Sequence, residues 1–155
     1  MIKNIKILLG TITGNARSVA EQITSVCSDQ NYNVTLIKKA SLENLQTGTE
    51  TLVLICTSTT GAGGLPWGLT PLYLSLKEDT SLDLSNLQYA VIGLGDSLFQ
   101  STFCAGAEKI DQLLAQYGAQ KIGASLMIDT PVTQSYQSLA SQWLLDNLCE
   151  GASDA

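Results

Sequence analysis

The chain has 155 residues, of which 45 % are apolar and 14 % charged, with a net charge of −6 and no histidine. That length suits one domain around a single core, and the composition excludes a disordered chain. The acidic balance argues against a grip on nucleic acid or on an anionic membrane. No apolar run reaches the roughly 18–20 residues that cross a bilayer.

The first apolar run, IKILL at 5–9, reads as a buried strand that ends at Gly10. It meets that glycine too early for the apolar core of a secretion signal, so no export signal is expected. A helix follows over about 15–28, because Ala16, Val19, Ala20, Ile23 and Cys27 share one face at helical spacing. The second strand is NVTLIK at 33–38, linked by a short helix near 41–46 to a third, TLVLICT at 51–57. Leu52 to Cys56 do not alternate apolar with polar, which is the pattern of a strand covered on both faces in a parallel sheet.

Leu69, Leu72, Tyr73 and Leu76 predict a helix over about 68–78, with Pro71 tolerable near its first turn. The fourth strand is YAVIG at 89–93. Ala107, Ile110, Leu113, Leu114 and Tyr117 mark a helix that Gly118 can end in a left-handed cap. The fifth strand is IGASLMI at 122–128. Tyr136, Leu139, Ala140, Trp143, Leu144 and Leu148 mark the last helix. One domain over 1–150 is expected, with 151–155 as a frayed polar tail. Strands and helices alternate throughout with short loops, so the fold class is α/β, an open, doubly wound sheet.

The four cysteines, Cys27, Cys56, Cys104 and Cys149, form no Cys-x-x-Cys pair, and without histidine a zinc site is not expected. Widely spaced thiols fit reduced core residues in the cytoplasm.

Ligands of doubly wound sheets sit beyond the carboxyl ends of the strands. Three loops there are unusual: GTITGNA at 10–16, TSTTGAGGLPWG at 57–68 and GLGDSLFQSTFC at 93–104. Each is rich in glycine and hydroxyl groups, and none contains lysine or arginine. In the first, the opening amides of a helix have no partner within it, and with the helix dipole they favour an anion. A plain cap by Thr13 or Asn15 is the simpler alternative.

The P-loop is excluded because no lysine follows Gly14. The dinucleotide fingerprint fails, since Leu98 stands at the third glycine position after Gly93 and Gly95, and Pro66 after Gly61 and Gly63. A phosphorelay receiver needs an acidic pair after its first strand, which is missing. What remains is a phosphate monoester held by neutral donors, on a ligand whose affinity comes largely from elsewhere, such as a large flat ring.

These loops resemble those of the flavodoxins, most closely the short-chain MioC/YqcA type, and the likeness covers about residues 3–148. The passage from IGASLMI straight into DTPVTQ matches the short-chain members. The resemblance implies a three-layer, five-stranded parallel sheet of order 2-1-3-4-5. It implies FMN as cofactor, with the phosphate on Thr11, Ile12, Thr13, Gly14, Asn15 and Ala16. It sets Thr57, Ser58, Thr59, Thr60, Gly61, Ala62 and Gly63 along one side of the flavin, the Gly61 carbonyl accepting from N5–H when the ring is half reduced. It sets Gly93, Leu94, Gly95, Asp96, Leu98, Phe99, Phe103 and Cys104 on the other side.

The chain departs from its relatives in four places. Ala16 replaces a common hydroxyl residue, so weaker phosphate binding is expected. Gly64 stands where an acid is common, and Trp67 where a polar residue is. One residue is added between Phe99 and Cys104, so either Phe99 or Leu98 could face the ring. Trp67 could cover the flavin edge, meet a partner or anchor its loop. Cys104 reads as structural.

The implied function is a low-potential one-electron carrier with no substrate turnover of its own and no metal. Its implied partners are an NAD(P)H-dependent flavodoxin reductase and an acceptor redox enzyme. The acids Asp79, Asp83, Asp96 and Glu108 are candidates for docking them, and a monomer is expected. The alternatives are a flavin-free protein on the same scaffold that acts by protein binding, and an FMN-dependent quinone or azo reductase.

Overall fold

The computed structural model describes residues 1–60 and 63–153. Its strands are β1 (Asn4–Gly10), β2 (Asn33–Ile37), β3 (Thr51–Thr57), β4 (Gln88–Gly95), β5 (Gln120–Lys121) and β6 (Leu126–Asp129). Its helices are α1 (Asn15–Asp29), α2 (Thr70–Glu78), α3 (Ala105–Gln116) and α4 (Tyr136–Ser153). A short 3-10 helix spans Leu42–Leu45 where the sequence predicts a linking helix, and a second spans Gln100–Thr102.

The sheet runs β2-β1-β3-β4 and then β5, with β6 also paired to β4, and every pairing is parallel. All seven residues of the central strand β3 are buried, which accounts for its unbroken apolar run. Residues of one parity, such as Ile5, Ile7, Leu52, Leu54 and Cys56, meet α1 and α4. Residues of the other parity, such as Leu8, Val53 and Ile55, meet α2 and α3. Each fully buried aliphatic side chain contributes about 1.5–3 kcal/mol, so the two layers hold the sheet between them.

The fifth predicted strand is in two pieces. β5 pairs with the start of β4, and β6 with its end. Between them Gly123 has φ +69°, outside the extended region, and it lies against the Asn147 side chain of α4. The ladder breaks there because no extended residue can make that bend. Both pieces occupy the same edge, so the five-place order 2-1-3-4-5 holds.

Gly118 has φ +90° and its amide bonds to Ala115 O at 3.0 Å, the cap expected for α3. α4 continues three residues past the expected boundary at 150. Leu139, expected on its buried face, is 47 % exposed.

Candidate functional site

Register brings the three unusual loops together. Gly10 pairs with Thr57, and Thr57 with Gly93, so the tips of β1, β3 and β4 form one row. Crossovers from β1 run to opposite sides of it, which opens a crevice above that row.

In the first loop Gly14 precedes α1 with φ +96°, a conformation that costs glycine little and other residues more. Its amide donates to Thr11 Oγ1 at 3.1 Å, which curls the loop under the helix. Neither Thr13 nor Asn15 caps the helix through its side chain. Among the described residues the amides of Ile12, Thr13, Asn15, Ala16 and Arg17 have no hydrogen-bond acceptor. Exposed amides at a helix start are an anion site. The Ala16 methyl is fully buried in the core, so this residue offers only its amide.

The second loop is tied to the first by Ser58 N, which donates to Gly10 O at 2.9 Å. Thr60 N donates to Gly64 O at 3.0 Å, and Gly64 N donates to Thr60 Oγ1 at 2.8 Å, which closes the loop on itself. Gly106 N in the first turn of α3 donates to Thr59 Oγ1 at 3.2 Å. Gly61 and Ala62 lie outside the described residues.

The third loop is a β-turn, in which Phe99 N donates to Asp96 O at 3.0 Å. Asp96 Oδ1 accepts from Leu98 N at 2.9 Å. Thr102 N and Thr102 Oγ1 both donate to Phe99 O, at 3.0 and 3.3 Å. Cys104 begins α3 with φ 55°.

These loops enclose a cleft of about 300 Å³. Of the residues singled out from the sequence, Ile12, Thr13, Asn15, Ser58, Thr59, Thr60, Leu94, Gly95, Asp96 and Phe99 line it. Thr11, Gly14, Ala16, Thr57, Gly63, Gly93 and Cys104 do not line it. Phe103 is half-buried beside Gly95. Phe99 faces the cleft, whereas Leu98, 84 % exposed, does not.

Two lining residues were not anticipated, Thr102 and Thr130. Thr130 follows the last strand, whose tip opens at the same end of the sheet as the three chosen loops. That position was the available signal. Trp67 does not line the cleft. It is 66 % exposed, with Lys39 Nζ 5.3 Å from its ring centroid.

The lining contains no lysine or arginine, and its one charged group is Asp96. Hydroxyls, free amides, an aromatic face and apolar Ile12 and Leu94 meet in one cleft, a set that fits a phosphomonoester joined to a flat ring. FMN carries both of those groups. Burial pushes the Cys104 thiol up to about 12, with the Glu108 and Asp129 charges adding to it and a backbone hydrogen bond opposing. Burial alone pushes Cys56 up to about 12. Both are inert core thiols.

Of the acids proposed for docking, Asp96 and Glu108 lie at the cleft end. Asp79 follows the end of α2, and Asp83 precedes β4 by a few residues, so both sit at the opposite end of the sheet. A second, larger cavity of about 530 Å³ also lies at that end, lined by Met1, Tyr32, Gln88 and Cys149 among others.

A family model described as Flavodoxin matches residues 7–143. Flavodoxin YqcA of Pectobacterium carotovorum subsp. carotovorum is 37 % identical over 140 residues, covering 90 % of this chain and 91 % of its own length. The protein MioC homolog of Haemophilus influenzae is 37 % identical over 141 residues, covering 91 % of this chain and 94 % of its own. A point mutant of flavodoxin from Pseudomonas aeruginosa matches in structure with a TM-score of 0.79 at 31 % identity, over 92 % of this chain and 95 % of that one.

Proposed function

The chain belongs to the flavodoxin family, and from that premise we propose that its cleft holds FMN and that the protein passes single electrons from a reductase to an acceptor enzyme. The observation that carries this reading is the convergence of three loops without lysine or arginine on one cleft, with the free amides at the start of α1 at its edge.

FMN supplies one-electron chemistry when bound, and the protein supplies position and field. The amides of Thr13, Asn15 and Ala16 bind the phosphate, aided by the helix dipole. The Thr13 hydroxyl adds a neutral donor. Phe99 covers one side of the ring, an aromatic contact worth about 0.5–1.5 kcal/mol beyond area burial. Loop two, from Ser58 to Thr60, covers the other side. Asp96 at the wall disfavours further negative charge in the cleft, which holds the lower reduction potential down.

The acidic molecule suits a basic docking face on an NAD(P)H-dependent reductase and on the acceptor. Asp96 and Glu108 are the acids placed for this. The protein works in the cytoplasm and oxidises no nicotinamide by itself.

The test is a titration of the purified protein with FMN. Yellow protein, quenched flavin fluorescence and no NAD(P)H oxidation without a reductase are the expected results. Colourless protein with no binding heat overturns the reading.

A further inference from the structure

The third loop of the cleft has little burial of its own, since Ser97, Leu98 and Phe99 are all exposed. Its shape must therefore come from hydrogen bonds. One set is internal, made by Asp96. The other comes from the tip of β6, which the register sets beside it: Gly95 is paired with Asp129. Asp129 Oδ1 accepts from Ser97 N at 3.1 Å. Thr130 N donates to Gly95 O at 3.0 Å, and Thr130 Oγ1 donates to the same carbonyl at 3.3 Å.

Asp129 closes its own turn with its backbone carbonyl, which accepts from Val132 N and Thr133 N at 3.3 and 3.0 Å. Its carboxylate has no part in that turn and reaches across to the neighbouring loop. Two carboxylates thus hold successive amides: Asp129 holds Ser97, and Asp96 holds Leu98. The next residue is Phe99, the aromatic side chain of the cleft. Hydrogen bonds to a charged acceptor are about twice as strong as neutral ones, so this is the firmest external hold on the turn.

We propose that Asp129 is a positioning residue that fixes the turn 96–99, and through it Phe99, by binding the Ser97 amide. The consequence for FMN rests on the reading given above; the hold on the turn does not. Without Asp129 the turn keeps its internal bonds and loses the anchor that sets its height over the cleft.

Two readouts test this. The first is the exchange rate of the Ser97 amide by NMR in flavin-free protein. The second is the FMN dissociation constant by fluorescence quenching. Asp129→Ala is expected to speed Ser97 exchange and to weaken FMN about tenfold, the scale of one lost charge-assisted hydrogen bond. Asp129→Asn keeps an acceptor oxygen and is expected to recover most of both.

Ser97→Pro removes the donor instead, at the second position of a β-turn, which proline suits. It should weaken FMN as much as Asp129→Ala does, and the double variant should lose no more than either alone. If Asp129→Ala fails to fold, Asp129→Asn and Ser97→Pro carry the same comparison. Wild-type exchange and affinity in Asp129→Ala would overturn the proposal. So would additive losses in the double variant, or an Asp129→Asn as impaired as the alanine. If the unaltered protein binds no FMN, the electron-carrier reading fails, while the Ser97 exchange rates still decide whether Asp129 holds the turn.

Discussion

At Gly68 a side chain has nowhere to go. A Cβ there would stand 2.6 Å from Lys38 O and 2.9 Å from Leu9 O, both backbone atoms. The Gly68 carbonyl also accepts from Ala40 N at 3.0 Å. This one residue therefore seats the far end of the second loop on the tips of β1 and β2. Gly68→Ala must push the loop off that seat, and a loss of about 1–3 kcal/mol is expected, the usual scale of overpacking. Urea denaturation measures it, and an unchanged midpoint would contradict the close approach.

The neighbouring Trp67 shows the limit of reading residues singly. Its place in the loop left the flavin edge, a partner or the protein surface equally open. In the structure Trp67 is away from the cleft lining, exposed to solvent, with the Lys39 ammonium over its ring. Nothing in the spacing of TSTTGAGGLPWG announces Lys39, which follows β2. By contrast, the free amides of GTITGNA were legible, because they belong to contiguous residues at the start of a helix.

Among the elements, the edge strand at the fifth place shows where pattern reading fails. IGASLMI looks like one strand because its apolar content is continuous. Gly123, with φ +69° and the Asn147 side chain against it, divides it into β5 and β6. Gly123→Ala would combine a left-handed backbone with a clash on α4. The expected cost is about 1–3 kcal/mol, measured as a lowered melting temperature. A variant as stable as the parent would mean that the bend is not needed.

The same strand explains why Thr130 escaped notice. The site was sought after the first, third and fourth strands, the loops with unusual composition. Thr130 belongs to DTPVTQ, whose composition is ordinary and whose relevance comes from parallel pairing with β4. The candidate docking acids divide between two ends of the molecule for a related reason. A charged residue does not say which end of the sheet it will occupy, whereas the order of α2 and β4 does, and it sends Asp79 and Asp83 away from the cleft.

For the whole molecule, the clearest prediction concerns alkaline pH. Burial pushes the Cys27 thiol from 9.0 up to about 11 and the Cys56 thiol from 9.0 up to about 12. Cys104 is raised likewise to about 12. Between those values the unfolded chain has released its thiol protons and the folded chain has kept them, so unfolding gains with each step in pH. The stability contributed by these protonated thiols is complete below pH 9.0 and is lost as pH rises toward about 11 to 12. Denaturation midpoints should therefore fall as pH rises from 9.0 toward about 11, and the slope should be shallower in Cys27→Ala. A flat profile would count against burial of these groups.

The fourth cysteine stands apart from those three. Cys149 is exposed, on the rim of the larger cavity at the amino ends of the strands. The seven residues of β1 separate that rim from the cleft, a span of about 23 Å at roughly 3.3 Å per residue. A thiol-reactive linker would find a single ready handle there. Molecules attached to an electrode or a bead through it would all stand the same way, with the mouth of the cleft facing the solution.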